Sequence, residues 1–315
     1  MSAGENLAYS APAPTAYVSA VADAPAPIAR RARVGEAAFR SEYLLPRVPL
    51  VFADLAREWP LFHRATPDDF RRRFGAHAVR MHGRRIHLGE LLDRLQHGVA
   101  QPYPCRIDVA RDLPALLPDI TPRFAQSVPD RQGSALMPPQ LAAELGIVEL
   151  SFAAAGARSQ YLACDALGRH RWIAQLYGEQ EITLFAPGQE AFLYPDPTAP
   201  WQSRMRRPHA PDAVRYALFR NASAQRVLLA PGETLFVPSG WWHSARSTGF
   251  SIGVAFGQLG ADNWPDFVAA SAEQRLREGK PAAARAWRTH LALLGASLAV
   301  LERFRANRAL RWCRR

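Results

Sequence analysis

From Ile147 onward the chain carries six short apolar or alternating runs with no helical stretch between them, and this limits the fold more than any other feature. The runs are Ile147 to Phe152, Trp172 to Tyr177, Glu181 to Phe185, Arg226 to Leu229, Thr234 to Val237 and Phe250 to Ala255, each bounded by Gly or Pro. Segments this short, rich in β-branched and aromatic residues, read as strands. Without crossover helices they must pair into a sandwich or barrel. At 315 residues with 48% hydrophobic content, the chain can bury a substantial core.

The flanks read differently. Residues 1–33 are Ala/Pro-rich, with Ala11-Pro12-Ala13-Pro14 and Ala24-Pro25-Ala26-Pro27, and are expected to form a disordered tail. Phe39, Tyr43 and Leu44 fit a helical face, and Pro46 to Phe52 reads as a strand. Thr66-Pro67-Asp68-Asp69 is a helix start with a capping threonine, proline at the first helical position and acids in the first turn. A second helix is expected from Leu88 to Gln96. Pro102 to Pro139, punctuated by prolines, reads as loop and short turns that wrap the core or border a site. Near the C-terminus Trp287, Leu291, Leu294, Leu298 and Leu301 recur at spacings of one helical stripe. The expected division is a tail over 1–33, a β-rich domain with an N-terminal helical part over 34–270, and a helical region over 271–315. The stripe is expected either to form a homodimer through residues 281–305 or to pack on the domain's own helices.

The formal net charge is +11, carried by one lysine, Lys280, and 38 arginines. No RNA-binding aromatic motif, zinc-finger spacing or Gly-Lys phosphate loop accompanies it, so a solvated surface is favoured over nucleic-acid binding, including for the arginines from Arg303 to Arg315. Cys105, Cys164 and Cys313 are odd in number and widely spaced, which argues for a reducing compartment rather than a disulfide framework. No stretch of about 18 apolar residues occurs. A cytoplasmic protein with no membrane partner is expected.

Gly232-Glu233-Thr234-Leu235-Phe236-Val237-Pro238-Ser239-Gly240-Trp241-Trp242-His243 delivers a histidine beyond an apolar strand and a Pro-Ser-Gly turn. Upstream, the stretch from Arg158 to Pro187 sets Asp165, Trp172, Gly178 and Pro187 at the positions of a carboxylate, a core aromatic, a hairpin glycine and a post-strand proline. These blocks resemble the JmjC, or cupin-like (cupin_8), non-haem iron oxygenases, and the resemblance extends over about residues 35–270. It implies a mainly β double-stranded β-helix, or jelly roll, with flanking α-helices. It also implies Fe(II) and 2-oxoglutarate as cofactors, and a protein, peptide or small-molecule substrate. Such an iron site takes His-x-Asp from one strand and a distant histidine, leaving one face of the metal open.

The chain departs from that pattern at two positions. Ala163 stands where the resemblance places the first histidine, and alanine has no donor atom. Gln180 stands where many of these oxygenases carry a lysine for the 2-oxoglutarate carboxylate. The candidate metal ligands are therefore Asp165 and His243, with His170 as a substitute third ligand. The candidate co-substrate contacts are Gln180, Arg158 and Arg246, since a guanidinium grips a carboxylate bidentately. The bland readings are that Asp165 caps the turn at Ala166-Leu167-Gly168, that His170 is a surface or supporting residue, and that Trp241 and Trp242 pack the core. Two functions follow as expectations: a 2-oxoglutarate/Fe(II) hydroxylase relative with an impaired site, or a non-catalytic binding or scaffold protein on the same fold.

Overall fold

A computed structural model describes residues 27–312 apart from 82, 99–104 and 122, with side chains as far as 304. Twelve strands lie among the described residues: β1 (Ala29–Arg31), β2 (Leu50–Phe52), β3 (Ala78–Met81), β4 (Arg84–His87), β5 (Cys105–Asp108), β6 (Val148–Ala153), β7 (His170–Tyr177), β8 (Gln180–Phe185), β9 (Ala224–Leu229), β10 (Thr234–Val237), β11 (Trp242–Ser247) and β12 (Ser251–Gln258). Seven form one sheet in the order β1-β2-β10-β7-β12-β6-β5, three form a second in the order β11-β8-β9, and β3 and β4 form a hairpin. All pairings are antiparallel except β1 with β2.

Because successive side chains on a strand point to opposite faces, the large sheet has an outer face and an inner face with different surroundings. Trp172, Ala174 and Phe236 face outward, where they meet Phe39, Phe70, Leu91 and other residues of the N-terminal helical part. Leu235, Val237 and Val51 face inward and pack with Ile182, Leu184, Val227 and Leu229 of the small sheet. That apolar cluster closes one end of the space between the sheets. The other end carries polar side chains and stays open.

Local signals account for most of the element boundaries. Thr66 caps the helix Pro67–Phe74, its side chain accepting from the Asp69 amide at 3.1 Å. The second helix runs Leu88–Gln96, with Leu88, Leu91, Leu92 and Leu95 buried. Gly178 turns β7 into β8 at φ +63°, and a Cβ there would lie 2.1 Å from the Phe250 carbonyl oxygen, so no other residue fits the turn.

Several boundaries differ from the sequence expectation. The tail ends earlier than residue 33, because Ala29–Arg31 adds to the edge of β2; residues 1–26 lie outside the described residues. The stretch from 102 to 139 contains β5, which pairs with β6 at the sheet edge. β11 was not among the six runs, since Trp242-His243-Ser244-Ala245-Arg246-Ser247 has too few apolar residues to register as a strand. The C-terminal helices are Trp264–Arg277 and Pro281–Trp312, so the helical region begins before 271. In the stripe, Leu291 and Leu298 are fully buried against Leu259, Trp264, Phe267 and Leu145 of the same chain, with Trp287 and Leu294 partly so. Leu293, Val300 and Phe304 remain exposed on another side of that helix. No helix among the described residues is long and apolar enough to cross a membrane.

Candidate functional site

The open end between the sheets is a pocket of about 810 Å³. Its floor comes from inward positions of the large sheet: Glu149 and Ser151 on β6, Arg171 and Ile173 on β7, and Ala255 on β12. Gln180 of β8 with His243 and Ala245 of β11 face them from the small sheet, and the segment 159–169 with Trp201 and Gln202 forms the rim. The structure therefore brings Ala163, Asp165, Gln180 and His243 into one cavity, as the family resemblance implies.

Ala163 is bonded directly across from His243: its amide donates to the His243 carbonyl at 3.2 Å, and its carbonyl accepts from the His243 amide at 2.8 Å. Residues opposed in this way share a face. An imidazole at 163 would stand beside that of His243, and the alanine methyl leaves that place empty of donors.

Asp165 is engaged elsewhere. Its Oδ1 accepts the Leu167 and Arg169 amides at 3.0 and 3.1 Å, which makes it the cap of the turn through Gly168. Arg169 adds a two-pronged ion pair, Nη2 and Nε lying 3.0 and 3.2 Å from Oδ2, and fixes its own Nη1 on the Leu145 carbonyl. Burial by itself would raise the Asp165 pKa, but the Arg169 charge and hydrogen bonds outweigh it and hold the carboxyl below the usual carboxylate range.

His243 is a neutral imidazole. Burial first, and then the charges of Arg171 and Arg106, push its pKa down to about 4. Its Nδ1 is buried without a hydrogen-bond partner. Glu149 lies between those two arginines, ion-paired to Arg171 and 3.6 Å from Arg106. Burial raises its pKa and the arginines more than reverse this, so it is ionised. Arg106, Arg169 and Arg171 thus face Glu149 and Asp165, leaving one net positive charge in the pocket.

His170, the candidate third ligand, is not in this cavity. It begins β7 and shares the outward face with Trp172, while its neighbour Arg171 points inward. The side chain is fully buried, with Nδ1 accepting the Ser239 amide at 2.9 Å and Nε2 lying 2.6 Å from Asp262 Oδ2. An accepting Nδ1 puts the ring proton on Nε2, which donates to Asp262, so no lone pair remains for a metal. Strand parity excludes it: His170 is the first residue of β7 and its side chain leaves the sheet on the face opposite the pocket. Arg158 and Arg246 are also placed outside. They pair across an isolated bridge on the far face of the small sheet and line a different cavity, while Gln180 alone of the three co-substrate candidates lines the main pocket. Cys164 alternates away from Asp165 and packs at the Leu162, Trp242 and Met205 cluster, its thiol pushed up by burial to about 12.

Among the described residues no group of three His, Cys, Asp or Glu side chains could hold a metal ion. The residues in the pocket do not fit iron: one position lacks a donor, the carboxylate is committed to Arg169, and the substitute histidine is turned into the core. The sequence reading missed Arg106, Glu149, Arg169 and Arg171. Arg171 had a signal, since an arginine one residue before the core Trp172 must face the opposite side of the strand.

A family model described as a cupin-like domain matches residues 68–256, more than half of the chain. Lysine-specific demethylase 8 of Xenopus tropicalis is 26% identical over 236 residues, which is 69% of this chain and 49% of that protein. tRNA wybutosine-synthesizing protein 5 of Mus musculus is 32% identical over 83 residues, 26% of this chain and 25% of that one. HSPB1-associated protein 1 of Homo sapiens is 36% identical over 80 residues, 24% of this chain and 16% of that one. The chain spans about half the length of the first of these relatives and a quarter or less of the other two.

Proposed function

The chain belongs to the family of cupin-like domains, and from that premise we propose that it is a JmjC-type relative whose oxygenase pocket has become a binding pocket for an anionic ligand. The observation that carries this is the Asp165–Arg169 pair beside Ala163. The carboxylate that would face a metal is instead the anchor of an arginine, and the strand position opposite His243 has no ligand atom. The basic side chains gathered in the same space supply what an anion needs: the largely buried guanidinium groups of Arg169 and Arg171, whose attraction is weakly screened, and the more exposed Arg106 at the edge. Gln180 offers a neutral amide at the same rim.

The relatives' names point to lysine demethylation and to tRNA modification. For this chain we infer a ligand of either origin only in so far as it is anionic, which is the chemistry that the pocket's arginines favour. No oxygenase step is assigned to it. The test is metal analysis of the purified protein after anaerobic incubation with Fe(II), together with succinate release in the presence of 2-oxoglutarate. The expected result is iron well below one equivalent and no succinate above background. Stoichiometric iron with substrate-coupled succinate release would show that another group completes the site.

A further inference from the structure

The three-stranded sheet has a second cavity on its outer face, of about 380 Å³. Strand alternation produces it: where His243 and Gln180 turn into the main pocket, their neighbours Ser244, Arg246 and Glu181 turn out. Arg158 stands opposite Arg246 in the isolated bridge, and Arg226 of β9 extends the same row. The segment carrying Pro208, His209 and Phe219 roofs the space, so that one half is apolar and the other cationic.

The cationic half is not neutralised from within the protein. Among the described residues Glu181 is the only acid lining the cavity, and it is taken by Arg246, whose Nη2 lies 3.1 Å from Oε2. Among the described residues Arg158 and Arg226, at the rim, have no side-chain hydrogen bond or ion pair. Deeper in, Arg246 Nε and His209 Nε2 are both buried without a hydrogen-bond partner. Buried polar atoms are nearly always paired, and a guanidinium N–H has no use except to donate. The Arg246 Nε–H, beside two unpaired arginines and an aromatic wall, calls for an acceptor oxygen attached to an apolar body, whereas neutral His209, whose ring N–H donates to the Ala245 backbone, keeps Nε2 as an acceptor.

We propose that this outer cavity binds a small organic anion, a carboxylate or phosphate monoester on a compact aromatic or aliphatic body. Its oxygens would be held by Arg246 Nε, Arg158 and Arg226, and its body would lie against Phe185 and Phe219. The site shares no lining residue with the main pocket, so it stands whether or not the reading of that pocket holds.

The test is isothermal titration of the full chain with phenyl phosphate and with benzoate, and with benzyl alcohol as the neutral counterpart. At least one of the two anions is expected to bind, more weakly as salt rises, with benzyl alcohol showing little heat; the stronger anion identifies the head group. Arg158→Gln with Arg226→Gln removes two charges without uncovering a buried partner, so this variant is expected to fold. Loss of charge-assisted contacts should weaken anion binding about tenfold or more. Absence of binding by both anions, or unchanged affinity in the double arginine variant, would overturn the proposal.

Discussion

Restoring the missing histidine alone should not restore a good metal site, because Asp165 is already bonded. In Ala163→His the new imidazole stands beside His243, but the metal must still draw Asp165 Oδ2 away from Arg169. The two side chains are only 15% and 8% exposed, so the pair is far less screened than a surface salt bridge. Hydrogen bonds to charged groups contribute about 1.5–3 kcal/mol. Giving up this one therefore raises the Kd for metal by about ten- to a hundredfold. Adding Arg169→Gln removes that competition, and Ala163→His/Arg169→Gln should bind Fe(II) or Co(II) tighter than Ala163→His by that factor. The cost appears in the metal-free protein: a buried carboxylate that has lost its partner destabilises a fold by about 3–5 kcal/mol. The double variant should thus have a lowered Tm that rises sharply on adding metal. Anaerobic titration calorimetry with Co(II) and thermal denaturation with and without metal measure both effects. Equal metal affinity in the single and double variants would refute the argument that Asp165 is held in reserve by Arg169. A folded double variant that binds no metal would refute the geometry of the site itself.

His170→Ala should cost about 2–5 kcal/mol in urea denaturation, because it leaves the Ser239 amide and Asp262 without their buried partner; a loss under about 1 kcal/mol would remove its structural assignment. Burial raises the pKa of Cys105 to about 11 and of Cys164 to about 12, so neither should react with a thiol reagent near neutral pH until the protein unfolds. Rapid native labelling of either, located by peptide mass spectrometry, would contradict this. A homodimer through residues 281–305 would use the exposed Leu293, Val300 and Phe304 and not the buried stripe. Light scattering should then show two protomers for the parent chain and one for Leu293→Glu/Phe304→Glu, and a monomeric parent removes the dimer.

The sequence by itself determined the strand-rich core, the capped helix at Thr66, the Gly178 hairpin and the joint placement of Ala163, Asp165, Gln180 and His243. The first three follow from short-range chemistry, namely alternation of side chains, a cap that satisfies a free amide and a turn that admits only glycine, while the fourth is what the family resemblance of the two blocks implies. Tertiary structure decided which of those residues are available. Asp165 caps its own turn and pairs with Arg169, a choice fixed by how the turn seats Arg169 against the Leu145 carbonyl, and residue spacing cannot reveal it. The role of His170 depends on Ser239 and Asp262, both more than sixty residues away. The side of the sheet taken by Arg158 and Arg246 depends on the register of β11, a strand too polar to be recognised without its partner. In a chain with 38 arginines, composition cannot single out Arg106, Arg169 and Arg171; only folding, which gathers them around Glu149 and Asp165, gives them a site.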